Sequence, residues 1–169
     1  MKRAFLLFGL AILMCASASA QQQARRATPN TSARADVYAK WLDEDVAYII
    51  TPEERRAFQM LKSDEQREAF VEAFWRRRDP DVDTPANEYR DEHYGRVAHA
   101  NEHYAAPNAA GWKTDRGRVH IMYGAPHSVS KTSDGEVWVY RVLPGVGTNI
   151  EIKFVLDPAT GDLRLQKPN

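Results

Sequence analysis

The sequence predicts an α+β domain with N-terminal helices packed on a C-terminal three- to four-stranded antiparallel meander. Helix-start signals recur between residues 51 and 85, and the apolar residues around them fall at helical spacing. After Gly117 the period changes to strand-like alternation, broken by short turns. Helices first and strands afterwards describe α+β rather than alternating α/β.

Residues 1–20 have the form of a signal peptide. Lys2 and Arg3 precede an apolar run from Phe5 to Met14, and Ala18-Ser19-Ala20 supplies the small-residue cleavage pattern. The run is shorter than the roughly 20 apolar residues of a membrane span. The mature chain is therefore expected to be exported, periplasmic or secreted, with no transmembrane anchor once the signal is removed. Met14 stands before Cys15 where a lipid-anchor site wants a very small residue, so lipid anchoring at Cys15 is not expected. Cleavage would remove the single cysteine, excluding disulfides and thiolate metal sites from the mature chain. The full chain holds 23 Lys and Arg against 23 Asp and Glu. Losing Lys2 and Arg3 tips the balance slightly acidic. Nucleic-acid binding wants a strong basic excess, so no nucleic-acid partner is expected.

Residues 21–34 read as a disordered leader, rich in glutamine and in Thr-Pro-Asn-Thr-Ser without apolar periodicity. A single domain over 35–167 follows. Val37 with Trp41, and Tyr38 with Leu42, stand at helical spacing. Thr51-Pro52-Glu53-Glu54 is a capping-box start with proline at the first helical position. Ser63-Asp64-Glu65-Gln66 repeats the signal and leads a helix carrying Phe70, Val71, Phe74 and Trp75. That helix ends in Arg76-Arg77-Arg78-Asp79-Pro80, where basic residues suit the helix C-terminus and proline stops it. Thr84-Pro85 is expected to open a long helix to about Tyr104, striped by Tyr89, His93, Val97, Ala100 and Tyr104. Such a stripe is the mark of a face that packs inward.

Strands are expected where Val119, Ile121 and Tyr123 alternate with polar residues, at Val137 to Val142, at Ile150 to Leu156, and at Leu163 to Gln166. Asp157-Pro158-Ala159-Thr160-Gly161-Asp162 is the last turn. Ser128, Ser130 and Ser133 fall in a predicted loop.

Several stretches together resemble the GWxTD domain family of exported bacterial proteins. They are Phe74-Trp75-Arg76-Arg77-Arg78-Asp79-Pro80, Thr84-Pro85-Ala86-Asn87-Glu88-Tyr89, Ala100-Asn101-Glu102-His103-Tyr104 and Gly111-Trp112-Lys113-Thr114-Asp115-Arg116-Gly117-Arg118-Val119. The likeness runs from Trp41 to Leu165 and implies no particular reaction. Where relatives tend to place an acidic residue after the tyrosine–glycine turn, this chain has His127.

The signature stretch reads first as the bend where helix gives way to strand. Gly111 and Gly117 permit it, Thr114 and Asp115 hydrogen-bond nearby N–H groups, Trp112 anchors, and Arg116 or Arg118 pairs with a carboxylate. Its second reading is a recognition turn with Trp112 and Arg116 as contacts. Of the run Arg76-Arg77-Arg78, one or two members are expected to form internal ion pairs and the rest to be solvated, and Arg78 and Asp79 stand with the signature residues as binding or structural candidates.

His99-Ala100-Asn101-Glu102-His103 matches the H-x-x-E-H pattern of inverted zinc peptidases, with both histidines on one helix face. A catalytic zinc needs a third ligand, for which Glu136 and Glu151 are unmarked candidates. His99 and His103 are therefore expected to be a helix flank rather than metal ligands, and no cofactor is implied. No complete catalytic constellation appears in the sequence. The expectation is a non-catalytic envelope domain that binds or scaffolds a protein partner, ahead of a periplasmic zinc-dependent hydrolase or a cell-wall glycan binder.

Overall fold

The computed structural model describes residues 31–167, with side chains from Arg34 onward. The signal-peptide reading of 1–20 and the leader reading of 21–30 lie outside the described residues. Of the described residues, 31–38 belong to one unit and 39–167 to a second. Helix α1 (Thr31–Lys40) begins ahead of the expected start at Ala35, and its first eight residues belong to the first unit.

In the second unit a π-helical turn, Trp41–Asp45, leads to α2 (Pro52–Met60) and α3 (Asp64–Arg76). Both helices start on the capping boxes expected of them. Thr51 Oγ1 accepts from the Glu54 N–H while Glu54 accepts from the Thr51 N–H, and Ser63 and Gln66 repeat the exchange. Their inner faces close on Trp41, which packs against Phe58 at 5.0 Å, Phe74 at 5.2 Å and Phe70 at 6.3 Å between ring centroids. Phe74 is fully buried.

Helix α4 is Glu88–His103, starting later than Thr84-Pro85 suggested. Its cap is Asn87, whose Oδ1 accepts from the Arg90 N–H at 2.8 Å. The Asn87 amide also donates to the Trp75 carbonyl, tying α4 to α3. Thr84 instead closes a turn, its hydroxyl donating to the Asp81 and Ala86 carbonyls.

A second difference concerns residues 115–123. They form helix α5 (Asp115–Tyr123), preceded by a 3₁₀ turn at Gly111–Lys113, and not the first strand of the sheet. Thr114 caps α5, and Gly124, at φ +78°, ends it. Val119, His120 and Ile121 are all buried in succession. A helix buried on more than one side loses its amphipathic stripe, which is why Val119, Ile121 and Tyr123 mimic alternation. The signature motif therefore turns helix into helix.

Four strands follow in the order β1 (Ser128–Lys131), β2 (Gly135–Leu143), β3 (Gly147–Asp157) and β4 (Asp162–Leu165), every pair antiparallel. The architecture is α+β with an antiparallel meander. The serines expected in a loop, Ser128 and Ser130, belong to the exposed edge strand β1. Register places Trp138 opposite Ile152 and Tyr140 opposite Ile150. This face, with Phe154, packs on Val119 of α5 and is bordered by Tyr104, Leu163 and Leu165. Gly135 is required where β2 begins, because a Cβ there would stand 1.9 Å from the Phe154 carbonyl oxygen.

Candidate functional site

The signature residues are built into the seam between α4, α5 and β4. Gly111 presses on the α4 backbone: a Cβ there would lie 1.8 Å from the Ala100 oxygen and 2.7 Å from Asn101 Cα. A Cβ on Gly117 would in turn lie 1.8 Å from the Gly111 oxygen. Gly111 thus lets the 3₁₀ turn meet α4 backbone to backbone, and Gly117 lets α5 meet that turn in the same way. Neither position needs a left-handed φ; both need the missing side chain.

Trp112 is half-buried and held by its backbone. Its N–H donates to Asn101 Oδ1 at 3.0 Å, and its carbonyl accepts from the Tyr48 hydroxyl at 2.9 Å. The Lys113 ammonium lies 4.9 Å from its ring centroid, and Tyr48 packs beside it at 6.2 Å. Burial raises the Tyr48 phenol above its usual range, so it stays protonated as a donor. Thr114, 1% exposed, donates from Oγ1 to the Gly111 carbonyl and accepts from the Gly117 N–H at 3.1 Å. Asp115 divides its carboxylate. Oδ1 accepts from Arg118, and Oδ2 accepts from the Leu165 N–H at 2.7 Å, fastening the edge strand β4 to α5. Arg116 stands 3.5 Å from Glu136, which also accepts from the Trp138 indole N–H, and lies over Tyr104 with 5.3 Å to the centroid. Both side chains of that pair are only 17% exposed.

Arg78 and Asp79 lie at the end of α3. Arg78 pairs with Glu54, donates to the Phe74 and Ile49 carbonyls, and stacks 3.6 Å over the Phe74 ring. Arg77 reaches the same carboxylate at 2.9 Å. Two members of the arginine run thus make internal ion pairs, while Arg76 remains exposed. Burial opposes the charge on Glu54, but Arg78, the Thr51 N–H and Arg77 outweigh it and hold the carboxyl down at about 2. Asp79 accepts from the Asp81 N–H and shapes the turn after α3.

His99 and His103 do share one exposed face of α4, with ring centroids 4.2 Å apart. Glu136, one proposed third ligand, is engaged by Arg116 and Trp138 instead. Glu151 sits opposite Val139 on the sheet. A third imidazole does arrive: His120 of α5 stacks on His99 at 4.4 Å, with 24° between ring planes. Parallel rings do not aim their nitrogens at one point. Among the described residues no three or more His, Cys, Asp or Glu side chains are grouped to hold a metal ion.

An open cleft of about 580 Å³ lies between α3 and the start of α4. Trp75, Tyr94 and Val71 line it together with Arg76, Arg90 and Asp79. Tyr94 is 37% exposed, and burial of its hydroxyl pushes its pKa up to about 12.

Sequence reasoning named the signature residues but not what they touch. Tyr48, Asn101 and Leu165 carry no local pattern, and Glu54 was visible only as a cap. His120 was hidden by the strand reading; Thr114 before Asp115, with Gly124 beyond, was the signal for a helix there.

Residues 14–164 match the family model described as GWxTD domain. No curated protein and no solved structure matches the chain.

Proposed function

We propose that this chain, which belongs to the GWxTD domain family, is an exported, non-catalytic module of the cell envelope that binds a protein partner through the cleft between α3 and α4. The observation that supports this reading is the composition of that cleft. Trp75, Tyr94, Arg76 and Arg90 meet there, and these residue types dominate the energetics of protein interfaces. Glu72 and Asp79 share the lining with the two arginines. Mixed charge suits a protein surface better than a polyanion. The signature motif has a different part in this reading. Its hydroxyl, carboxylate and backbone groups bond within the fold, so it sets the scaffold that carries the binding face. No helix among the described residues is long and apolar enough to cross a membrane.

The test is photocrosslinking in cells that export the protein, with a photoreactive phenylalanine analogue at Tyr94 and, as control, at Arg141 on the exposed part of β2. The expected result is one defined protein adduct from position 94 alone, lost when Arg76 and Arg90 are both changed to Glu. Equal adducts from both positions, or insensitivity to the charge reversals, would refute the cleft as the binding face. Retention on a cell-wall glycan column without any protein adduct would favour the glycan reading instead. Recovery of the protein only from the cytoplasm would refute export.

A further inference from the structure

Three imidazoles meet at the seam between α4 and α5, and the carboxylate nearest to them, Glu102, stands by the exposed His103. His99 and His103 present one edge of α4, and His120 lies against His99 and against the Tyr104 ring at 5.5 Å. His120 is 5% exposed, and its Nδ1 has no hydrogen-bond partner among the described residues. Either tautomer leaves that nitrogen unsatisfied, and a protonated ring would bury an unpaired N–H together with a charge.

The surroundings make that charge worse. Arg96, on the same helix as His99, donates to the Ile121 carbonyl at 3.4 Å. The nearest acid of the cluster, Glu102, lies 3.7 Å from His103 on the exposed rim. Other charged groups on the elements packed around α5 are engaged elsewhere: Glu92 with Arg96, Glu136 with Arg116, Asp115 with Arg118, and Asp162 with Arg164. Lys113 lies over Trp112.

We infer that His99, His103 and His120 form an acid-operated latch between α4 and α5, closed while the imidazoles are neutral and opened by protonation of His120. The closed state needs neutral rings because stacked neutral imidazoles pack as ordinary aromatics, whereas two adjacent cations beside Arg96 repel. Burial, with His99, Arg96 and His103 adding to it, lowers the His120 pKa to about 4. A base depressed in the folded state is protonated more readily in the unfolded one. Stability is therefore fully present above the unfolded value of about 6.5 and is lost as pH falls toward about 4.

Urea unfolding at pH 7 and pH 5 tests the latch, comparing wild type with His120→Phe. The two pKa values predict that the wild-type folding constant falls about twentyfold more than the variant's between those pH values. His93, also buried and depressed, is common to both proteins and cancels. Equal falls would overturn the proposal. Should His120→Phe fail to fold, the exposed pair His99→Ala with His103→Ala serves: relieving the repulsion must shrink the acid step, and an unchanged step overturns the latch. Hydrogen exchange at pH 5, corrected for intrinsic rates, must show α5 losing protection before α2; simultaneous loss overturns a local opening. Stabilisation of the wild type by zinc chloride at pH 7, abolished in His120→Phe, would overturn it in favour of a metal site.

Discussion

Replacing Gly111 with alanine adds a single methyl group, and the structure fixes where it goes. The new Cβ would stand 1.8 Å from the Ala100 oxygen, 2.5 Å from the Ala100 carbonyl carbon and 2.7 Å from Asn101 Cα. All three are backbone atoms of α4, so no side chain can swing aside. Reaching even 3.0 Å, a separation real Cβ atoms essentially never undercut, means moving the 3₁₀ turn off α4 by more than an ångström. Overpacking of this kind costs about 1–3 kcal/mol. The same movement stretches the Trp112 N–H bond to Asn101 and loosens the Tyr48 bond to the Trp112 carbonyl, each worth about 1 kcal/mol. We expect a total loss of about 3–5 kcal/mol, read from urea unfolding followed by tryptophan fluorescence. Gly95→Ala is the internal control. Gly95 lies within α4, exposed, and among the described residues nothing beyond its own helix backbone and chain neighbours comes within 4 Å of its would-be Cβ, so alanine there should stabilise by about 0.5–1 kcal/mol. A Gly111→Ala protein within about 1 kcal/mol of wild type would refute the backbone-to-backbone seam.

Other substitutions probe the remaining parts of the scaffold. Thr114→Val keeps the shape but removes the cap of α5 and the donor to Gly111; the same urea assay should show a loss of about 1–2 kcal/mol. Asp115→Ala leaves the Leu165 N–H without its acceptor, which should cost about 1–3 kcal/mol and speed exchange of that amide measurably by NMR. Glu54→Gln removes a carboxylate held down at about 2, so its contribution is present above about 4.5 and vanishes as pH falls toward 2. The variant should be less stable by about 2–3 kcal/mol at pH 7 in urea, and that gap should close across the acidic window.

How much of this was legible depended on how far apart the interacting residues lie. Helices α2 and α3 were readable because a capping box is a contact between residues three apart, written in Thr51 with Glu54 and in Ser63 with Gln66. Strands β2 and β3 were readable because alternation survives when one face stays in solvent. Helix α5 was misread because burial of Val119, His120 and Ile121 erases the helical stripe, leaving only the Thr114 cap and Gly124 to mark it. The expected ion pairs of the arginine run were sound as chemistry, yet their shared partner Glu54 lies 24 residues before Arg78. The contacts of the signature motif are more distant still: Tyr48 to Trp112 spans 64 residues and Asp115 to Leu165 spans 50. Residue types announced what each group needed, and only the fold supplied the partner.

The motif and the histidines are also mechanically connected. Gly111 seats the 3₁₀ turn on α4 and Gly117 seats α5 on that turn, while His120 of α5 stacks on His99 of α4. A group loses its hydration only when its neighbours close around it, so a seam that opens between α4 and α5 would relieve the burial that lowers the His120 pKa. Pushing the seam apart in Gly111→Ala should let water reach His120 and return its pKa toward the ordinary value of about 6.5. The difference between folded and unfolded proton binding then shrinks, and with it the acid-dependent fall in stability. A destabilised but still folded Gly111→Ala protein should therefore be less sensitive to acid than wild type, even though it starts weaker. General weakening of the fold would predict the opposite: an unchanged pH slope on a lower baseline. Measuring that slope by urea unfolding between pH 7 and pH 5 separates a motif that merely stabilises the domain from one that also sets the conditions under which α4 and α5 stay together.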